Sequence, residues 1–486
     1  MLSIYKKLLS AVTLILFLSS SLVYAMPTAF LPIGKDKILE YQVDKMFALT
    51  AVTPMSKPYR ITEINKHIVK LGNIDPALQA SIRARIAPYL QQDAITRRGI
   101  KLRVDSGEEQ KLANDRGNYS GEYAELSLGG IYRGSKNSLV QLGAEYRVES
   151  GKLVPYNTFY ALGGENLQLN LGYKEHWFSP FKHSATIYST NAKAPLSASL
   201  GLNSPLKNWW NFDFEVFYSE LEHVEDGIMY QNTLHDGTPR LAGTQLNFEP
   251  LQNWKIGINR IMQFGGGPRK VDFKDVVKAY FDPAGNDNSG KTGSQDAELG
   301  DQWASVTTVF KTNWWTTAEW YLEHGGEDTR EHKNYLFGNN VTSFGVHLPN
   351  VTKDIAVRFE HTNLHSLWYV NKIYAKTGNS IDNFVIGHFA ANNRTFNDGV
   401  PTTNNVLEVT YTESLDSMWN VKLTSVKNKS GYANELGGVS DTYEDMHEIK
   451  LSNSRKIDGY QLETSLTVGK DVYGENYTWL SVNVYW

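Results

Sequence analysis

From about residue 99 onward, apolar side chains recur at every second position. In Tyr460–Gly469, the side chains of Tyr460, Leu462, Thr464, Leu466 and Val468 share one face, and Gln461, Glu463, Ser465 and Thr467 share the other. The same alternation runs through Ile355, Val357 and Phe359, through Leu407, Val409 and Tyr411, through Trp419, Val421 and Leu423, and through Trp254, Ile256 and Ile258. Charges stand in the middle of the opposite face: Arg358, Glu360, Glu408, Lys422 and Glu463. One such strand does not separate a soluble sheet from a membrane barrel. The number of strands does, because roughly sixteen to eighteen segments of about ten residues match the length a tilted strand needs to cross a bilayer. Closure pairs every backbone N–H and C=O and leaves no edge in lipid. The expected fold is therefore an all-β, antiparallel transmembrane barrel. In the last segment, YTWLSVNVYW, the residues Trp486, Val484, Val482 and Leu480 alternate with Tyr485, Asn483, Ser481 and Trp479. A last strand closing on the first, with its terminal aromatic at a membrane interface, fits that pattern.

Ahead of this region the period is 3.6. Ile61, Ile64, Ile68 and Leu71 form a helical stripe, with Gly72 at its C-cap. Asp75 and Pro76 open a second helix as N-cap and first residue, with Leu78, Ile82, Ile86 and Leu90 as its stripe and Pro88 kinking its last turn. Residues 36–49 give a third. Three short helices make a bundle too small to stand alone, so it is expected to dock on the larger domain.

Composition sharpens the picture. The 486 residues carry a net charge of -4, 39 Gly, and 27 Tyr, 20 Phe and 12 Trp. The mean hydropathy of -0.40 excludes a bundle of membrane helices. Aromatic- and Gly-rich composition suits an all-β fold with many turns, and no basic tract points to nucleic acid. Lys6 and Lys7, an apolar stretch from Leu8 to Leu18, and Val23 and Ala25 read as a secretory signal peptide cleaved after Ala25. The expected organisation is signal peptide 1–25, periplasmic helical module 26–98, and outer-membrane barrel 99–486 with long extracellular loops. Two irregular stretches, Gln263 to Asp301 and Trp368 to Asn404, are long enough to be functional. A periplasmic sandwich or propeller is the soluble alternative, and no blade-like repeat supports it.

No catalytic chemistry is legible. G-x-S-x-G, H-E-x-x-H and Walker-type runs are absent from the sequence. His361 and His365 are four apart, but where a strand enters a loop, so they share no helical face. Asp287, Asp296 and Asp301 lack the spacing of a calcium loop. Neither an enzyme, a metal nor a cofactor is expected.

Four stretches carry a resemblance. They are INRIMQFGGGPR (258–269) with GNDN (285–288), GED (326–328), WYVNKIYAKTGNSIDNFVIGH (368–388), and HWFSPFKHSATIYSTNAKAPL (176–196). In order and spacing they resemble the Wzi family of capsule-assembly outer-membrane proteins. Where that family has a Trp-Gly-Pro-Gly-like turn, this chain has Phe178-Ser179-Pro180-Phe181, so no role is carried over to the turn. The resemblance implies a barrel of about 18 strands with a helical bundle. It also implies a non-enzymatic, lectin-like protein that retains or assembles capsular polysaccharide or exopolysaccharide at the surface. The saccharide-binding candidates it implies are Arg260, Arg269, Asp287, Asn288, Glu327, Asp328, Trp368, Tyr374 and His388. Outer-membrane lipid, and the barrel-assembly machinery acting on the C-terminal strand, are the other expected partners. A diffusion porin or polysaccharide-export channel is the alternative, and it requires a clear lumen.

Overall fold

The computed structural model describes residues 26–486 except 165, 283–297, 332, 396–397 and 434–439; the side chains of Phe273 and Asp328 also lie outside it. The proposed signal peptide falls outside the described residues. Eighteen antiparallel strands close into one barrel. In chain order they are β1 (Asp93–Gly107), β2 (Ala124–Ser135), β3 (Ser138–Arg147), β4 (Lys152–Pro155 and Thr158–Gly163), β5 (Leu167–Tyr173), β6 (Ser197–Leu202), β7 (Asp213–Glu220), β8 (Arg240–Leu251) and β9 (Trp254–Phe264). They continue as β10 (Gly300–Asn313), β11 (Thr317–Thr329), β12 (Phe337–Leu348), β13 (Ile355–Leu364), β14 (Thr402–Ser414), β15 (Ser417–Asn428), β16 (Met446–Ile457), β17 (Tyr460–Lys470) and β18 (Asn476–Tyr485). β4 is broken at Tyr156-Asn157, where Asn157 has φ 43°. β18 pairs with β1 from Tyr477↔Gly107 to Tyr485↔Gly99, and the Trp486 backbone extends the seam to Arg98.

The alternation becomes two surfaces. On β17 and β18, Leu466 is 43% and Leu480 51% exposed on the outer face, while Ser465, Thr467 and Trp479 are buried inside. The connections at one end of the barrel are short, and four tryptophans protrude from them: Trp209, Trp210, Trp314 and Trp315. Such an aromatic girdle marks a membrane–water interface.

Three helices close the same end: α1 (Lys37–Thr50), α2 (Ile61–Leu71) and α3 (Pro76–Leu90). Asp36 and Asp75 cap α1 and α3 by accepting from Leu39 N and Leu78 N, each at 2.9 Å. Gly72 takes the end of α2 in a right-handed conformation, and α3 continues through Pro88 to Leu90. The apolar stripes meet one another and the wall residues Ile131, Leu139 and Phe159. Leu90 is the exception and lies exposed.

The lumen is filled rather than open. Backbone on either side of α1, at 28–36 and 51–60, lies along the wall, and inward side chains bond it as a strand partner would. Gln141 accepts from Phe30 N at 2.9 Å and donates to Phe30 O at 2.8 Å; Gln168 does the same for Thr28. Arg60 makes a bidentate pair with Asp213 at 2.7 and 3.1 Å. Glu319 accepts from Thr53 N at 2.7 Å and Thr53 Oγ1 at 2.8 Å. From the opposite end, the segment 174–196 turns inward. Its backbone N–H groups at Lys182, His183 and Ser184 all donate to the Glu360 carboxylate, at 2.7, 2.9 and 3.0 Å. Asp44 on α1 joins the network. Burial opposes its charge, yet Lys182, Lys57 and Arg358 hold its carboxyl down at about 2. The inward charges seen in the sequence thus anchor the plug.

Two predictions follow from these surfaces. Leu480→Arg, at mid-strand on the outer face, should cost about 2–4 kcal/mol in urea titrations of vesicle-refolded protein. Glu360→Ala should strand three buried N–H donors and cost about 2–4 kcal/mol. Limited proteolysis should then cut within residues 174–196, which should stay protected in the parent protein.

Candidate functional site

The barrel end opposite the helices carries the long connections, and the longest described one, residues 365–401, folds into the mouth. Trp368, Tyr369, Ile381, Phe384, Val385 and Ile386 pack with Phe178, Ile187 and Tyr188 of the other inward segment. An apolar ring of the wall, including Phe217, Leu241, Ile261, Trp303 and Val341, surrounds them. Hydrogen bonds stitch the two segments together. The Tyr369 hydroxyl donates to Thr186 O at 2.5 Å and accepts from His388 N at 2.8 Å, and Asn191 donates to Val385 O at 2.9 Å.

Four of the sequence-derived candidates lie in or against this connection, and each is held by contacts within the protein. Trp368 is fully buried and its indole N–H donates to Asn339 O at 2.5 Å. Glu327 accepts from Tyr369 N at 3.2 Å. Tyr374 is fully buried and donates to Gly265 O at 3.2 Å. His388 stacks on Phe389, with ring centroids 5.0 Å apart, and its Nδ1 accepts from Ala390 N at 3.1 Å. Burial pushes the His388 imidazole down to about 3, so it is neutral at physiological pH.

The arginine candidates lie elsewhere. Arg260 occupies an outward position of β9. There a short helix, α4 (Phe273–Phe281), rests against the outer wall on Met262, Phe264 and Ala242. The Arg260 guanidinium donates to the last helix carbonyls, Tyr280 O at 2.7 Å and Ala279 O at 3.0 Å, and lies 4.8 Å from the Tyr280 ring. Arg269 is buried and ties Met229 O to Glu298 O, at 3.1 and 2.8 Å. Arg260 is therefore separated from the mouth by the barrel wall. Asp287 and Asn288 lie outside the described residues, as does the Asp328 side chain.

The structure reveals an exposed cluster on the rim that sequence reasoning missed. It joins Thr395 and Asp398, Lys429 to Tyr432, Ser440 to Tyr443, and Tyr473. The Tyr443 and Tyr473 rings are 5.9 Å apart. Thr395 Oγ1 bonds the Tyr473 hydroxyl at 3.0 Å and donates to Asp441, and the Tyr443 hydroxyl donates to Asp398. Burial and the Asp398 carboxylate push the Tyr443 phenol up, so it remains a donor. Tyr473 is half exposed, Asp441 is exposed, and Lys429 sits 5.0 Å from the Tyr432 ring. An aromatic face beside carboxylates and an amine suits a polyhydroxylated ligand. Only proximity in the fold reveals the cluster, since its residues span about 80 positions between Thr395 and Tyr473 with no local motif. No group of three or more potential metal ligands occurs among the described residues.

The sequence profile of the capsule assembly protein Wzi family matches residues 94–466. The chain belongs to that family. The solved Escherichia coli Wzi is described as an outer-membrane, carbohydrate-binding β-barrel involved in group 1 capsule assembly. It superposes with a TM-score of 0.68 at 14% identity, covering 94% of this chain and 99% of that one. A Klebsiella pneumoniae relative, an uncharacterised 55.8 kDa protein in the cps region, is 24% identical over 253 residues. The match covers 49% of this chain and 44% of the relative. This Wzi-family protein is thus an outer-membrane barrel of the capsule-assembly type.

Arg260 in this Wzi-family barrel tests the division between wall and mouth. Arg260→Ala should release the end of α4, lowering local stability by about 1–2 kcal/mol. Proteolytic cleavage should appear next to Phe281 while the mouth layer stays protected.

Proposed function

We propose that this protein retains capsular polysaccharide or exopolysaccharide at the cell surface by binding it without chemical change. The observation that carries the proposal is the filled lumen. A barrel plugged by helices and extended backbone from one end and by two folded segments from the other offers its ligand a rim rather than a passage. The helices then face the periplasm, and the rim cluster around Tyr473, Asp441 and Lys429 faces outward. Stacking of a sugar's C–H face on Tyr473, with Asp441 and Lys429 bonding hydroxyls, gives a binding mode consistent with the exposed groups. The E. coli Wzi barrel's described carbohydrate binding supports the same direction. The apolar outer face provides the lipid contact, and the alternating C-terminal strand ending in Trp486 is the segment proposed to engage the barrel-assembly machinery. The porin or export-channel alternative needs an open path, which the packed mouth layer opposes.

A clean deletion should shift polysaccharide from the cell-bound to the shed fraction, and the wild-type gene should restore it. Tyr473→Ala combined with Asp441→Asn should restore it poorly, with the barrel folded and present at normal level. Unchanged attachment in the deletion strain would remove the proposal. In planar bilayers the purified protein should show no steady large conductance.

A further inference from the structure

The plug fills the lumen unevenly. Beside the wall formed by β14–β18 and β1–β3 there remains a cavity of about 320 Å³, at the lower bound for small-ligand sites. Its lining holds eleven Lys and Arg against eight Asp and Glu, an excess of three positive charges. The whole chain has a net charge of -4, so positive charge is concentrated here. Much of it is matched. Lys101 and Arg103 share Glu125 at 3.0 and 3.1 Å, Lys35 pairs with Glu145, and Lys182 lies 3.5 Å from Asp44.

Two lysines stand apart. Lys422 on β15 and Lys450 on β16 are direct cross-strand neighbours, and both line the cavity. Like charges directly opposite each other destabilise a sheet. The carboxylate nearest to the pair, Glu448, lies 4.0 Å from Lys422 Nζ and also accepts from the Tyr477 hydroxyl at 3.3 Å. Lys450 has no hydrogen-bond or ion-pair partner among the described residues. Lys37 and Lys101 add to the positive field of Lys422 at the Lys450 amine, and Glu448 offsets part of it. On the same strand as Lys422, one inward step away, the Thr424 hydroxyl is buried and unpartnered. Two adjacent lysine amines and a hydroxyl donor thus converge on one cavity with a single carboxylate, Glu448, beside them, and that carboxylate is already shared with the Tyr477 hydroxyl.

We propose that Lys422, Lys450 and Thr424 form a binding site for an oxyanion, a carboxylate, phosphate or sulfate group, inside the lumen. The anion relieves the cross-strand repulsion and supplies the missing acceptor. It is either a free solute or a group carried on a sugar. The site goes beyond surface retention and does not depend on it.

Isothermal titration of the full-length, detergent-refolded protein tests the site, using sodium phosphate, sodium glucuronate and glucose at constant ionic strength set with chloride. Saturable binding of at least one anion, with none for glucose, is expected. Phosphate and glucuronate binding together indicate a free-solute site; glucuronate alone indicates a group borne on sugar. Lys450→Gln and Lys422→Gln should each weaken binding about tenfold or more, the scale of one charge-assisted hydrogen bond, with heat-modifiable gel migration confirming the fold. Should either variant fail to fold, the wild-type protein still decides. The bound anion should raise its unfolding temperature above that in chloride of equal ionic strength. Absence of saturable binding and of that shift overturns the proposal, as does binding that both substitutions leave unchanged. Cell-surface retention is scored separately, so the site can fail while polysaccharide stays attached, or hold while it does not.

Discussion

A closed sheet with one face in lipid must send every second side chain inward, and the inward half of this chain is polar and charged. Those groups need partners that the barrel itself does not supply in full. Water would serve in an open channel. Here polypeptide serves instead: Gln141 and Gln168 hold extended backbone, Glu319 holds Thr53, Arg60 reaches Asp213, and Glu360 gathers three N–H groups. The cost of leaving any of these unpaired in a low-dielectric interior explains why the plug is tied to the wall at each of these points. Lipid-face alternation and plug are two consequences of one constraint.

The constraint also explains what was legible in the sequence. Period-two alternation is a local signal, and it shifts phase only where the strand is bulged, as on β1, where Ile95 faces out and Arg97, two positions on, faces in. Helix caps are local as well, and Asp75-Pro76 marks the start of α3 as the spacing implies. The inward charges Arg358, Glu360, Glu408, Lys422 and Glu463 could be placed on the inner face. Their partners could not, because Glu360 meets residues 182–184, about 180 positions away. Pairing at that separation is a property of the closed barrel rather than of any window of sequence.

The candidate residues show the same limit from the other side. Trp368, Tyr374 and His388 are candidates through the family resemblance of the stretch 368–388, and their aromatic and imidazole groups are compatible with sugar recognition. An aromatic group that stacks on a sugar and one that fills a barrel mouth look alike in sequence. The deciding fact for Trp368 is the apolar ring of Phe217, Ile261, Trp303 and Val341, contributed by four different strands, while Tyr374 packs on Ile228 and Ile373 and His388 stacks on Phe389. α4 escaped notice for a related reason. Nine residues with an apolar stripe resemble any loop until an outer wall is present for Met262 and Ala279 to share.

With the mouth packed and most inward charges spent on the plug, the chemistry left for ligands divides by place. The rim keeps aromatic faces and carboxylates in water, where weak contacts repeated along a polymer add up through multivalency. The residual cavity keeps Lys422 and Lys450 side by side with one carboxylate between them, where the proposed single anion fits and a long neutral chain has no room. A polymer held at the rim need not enter the barrel. Filling the lumen therefore serves the proposed retention role directly: it presents a fixed surface at the outer face and denies the polymer a route back through the wall.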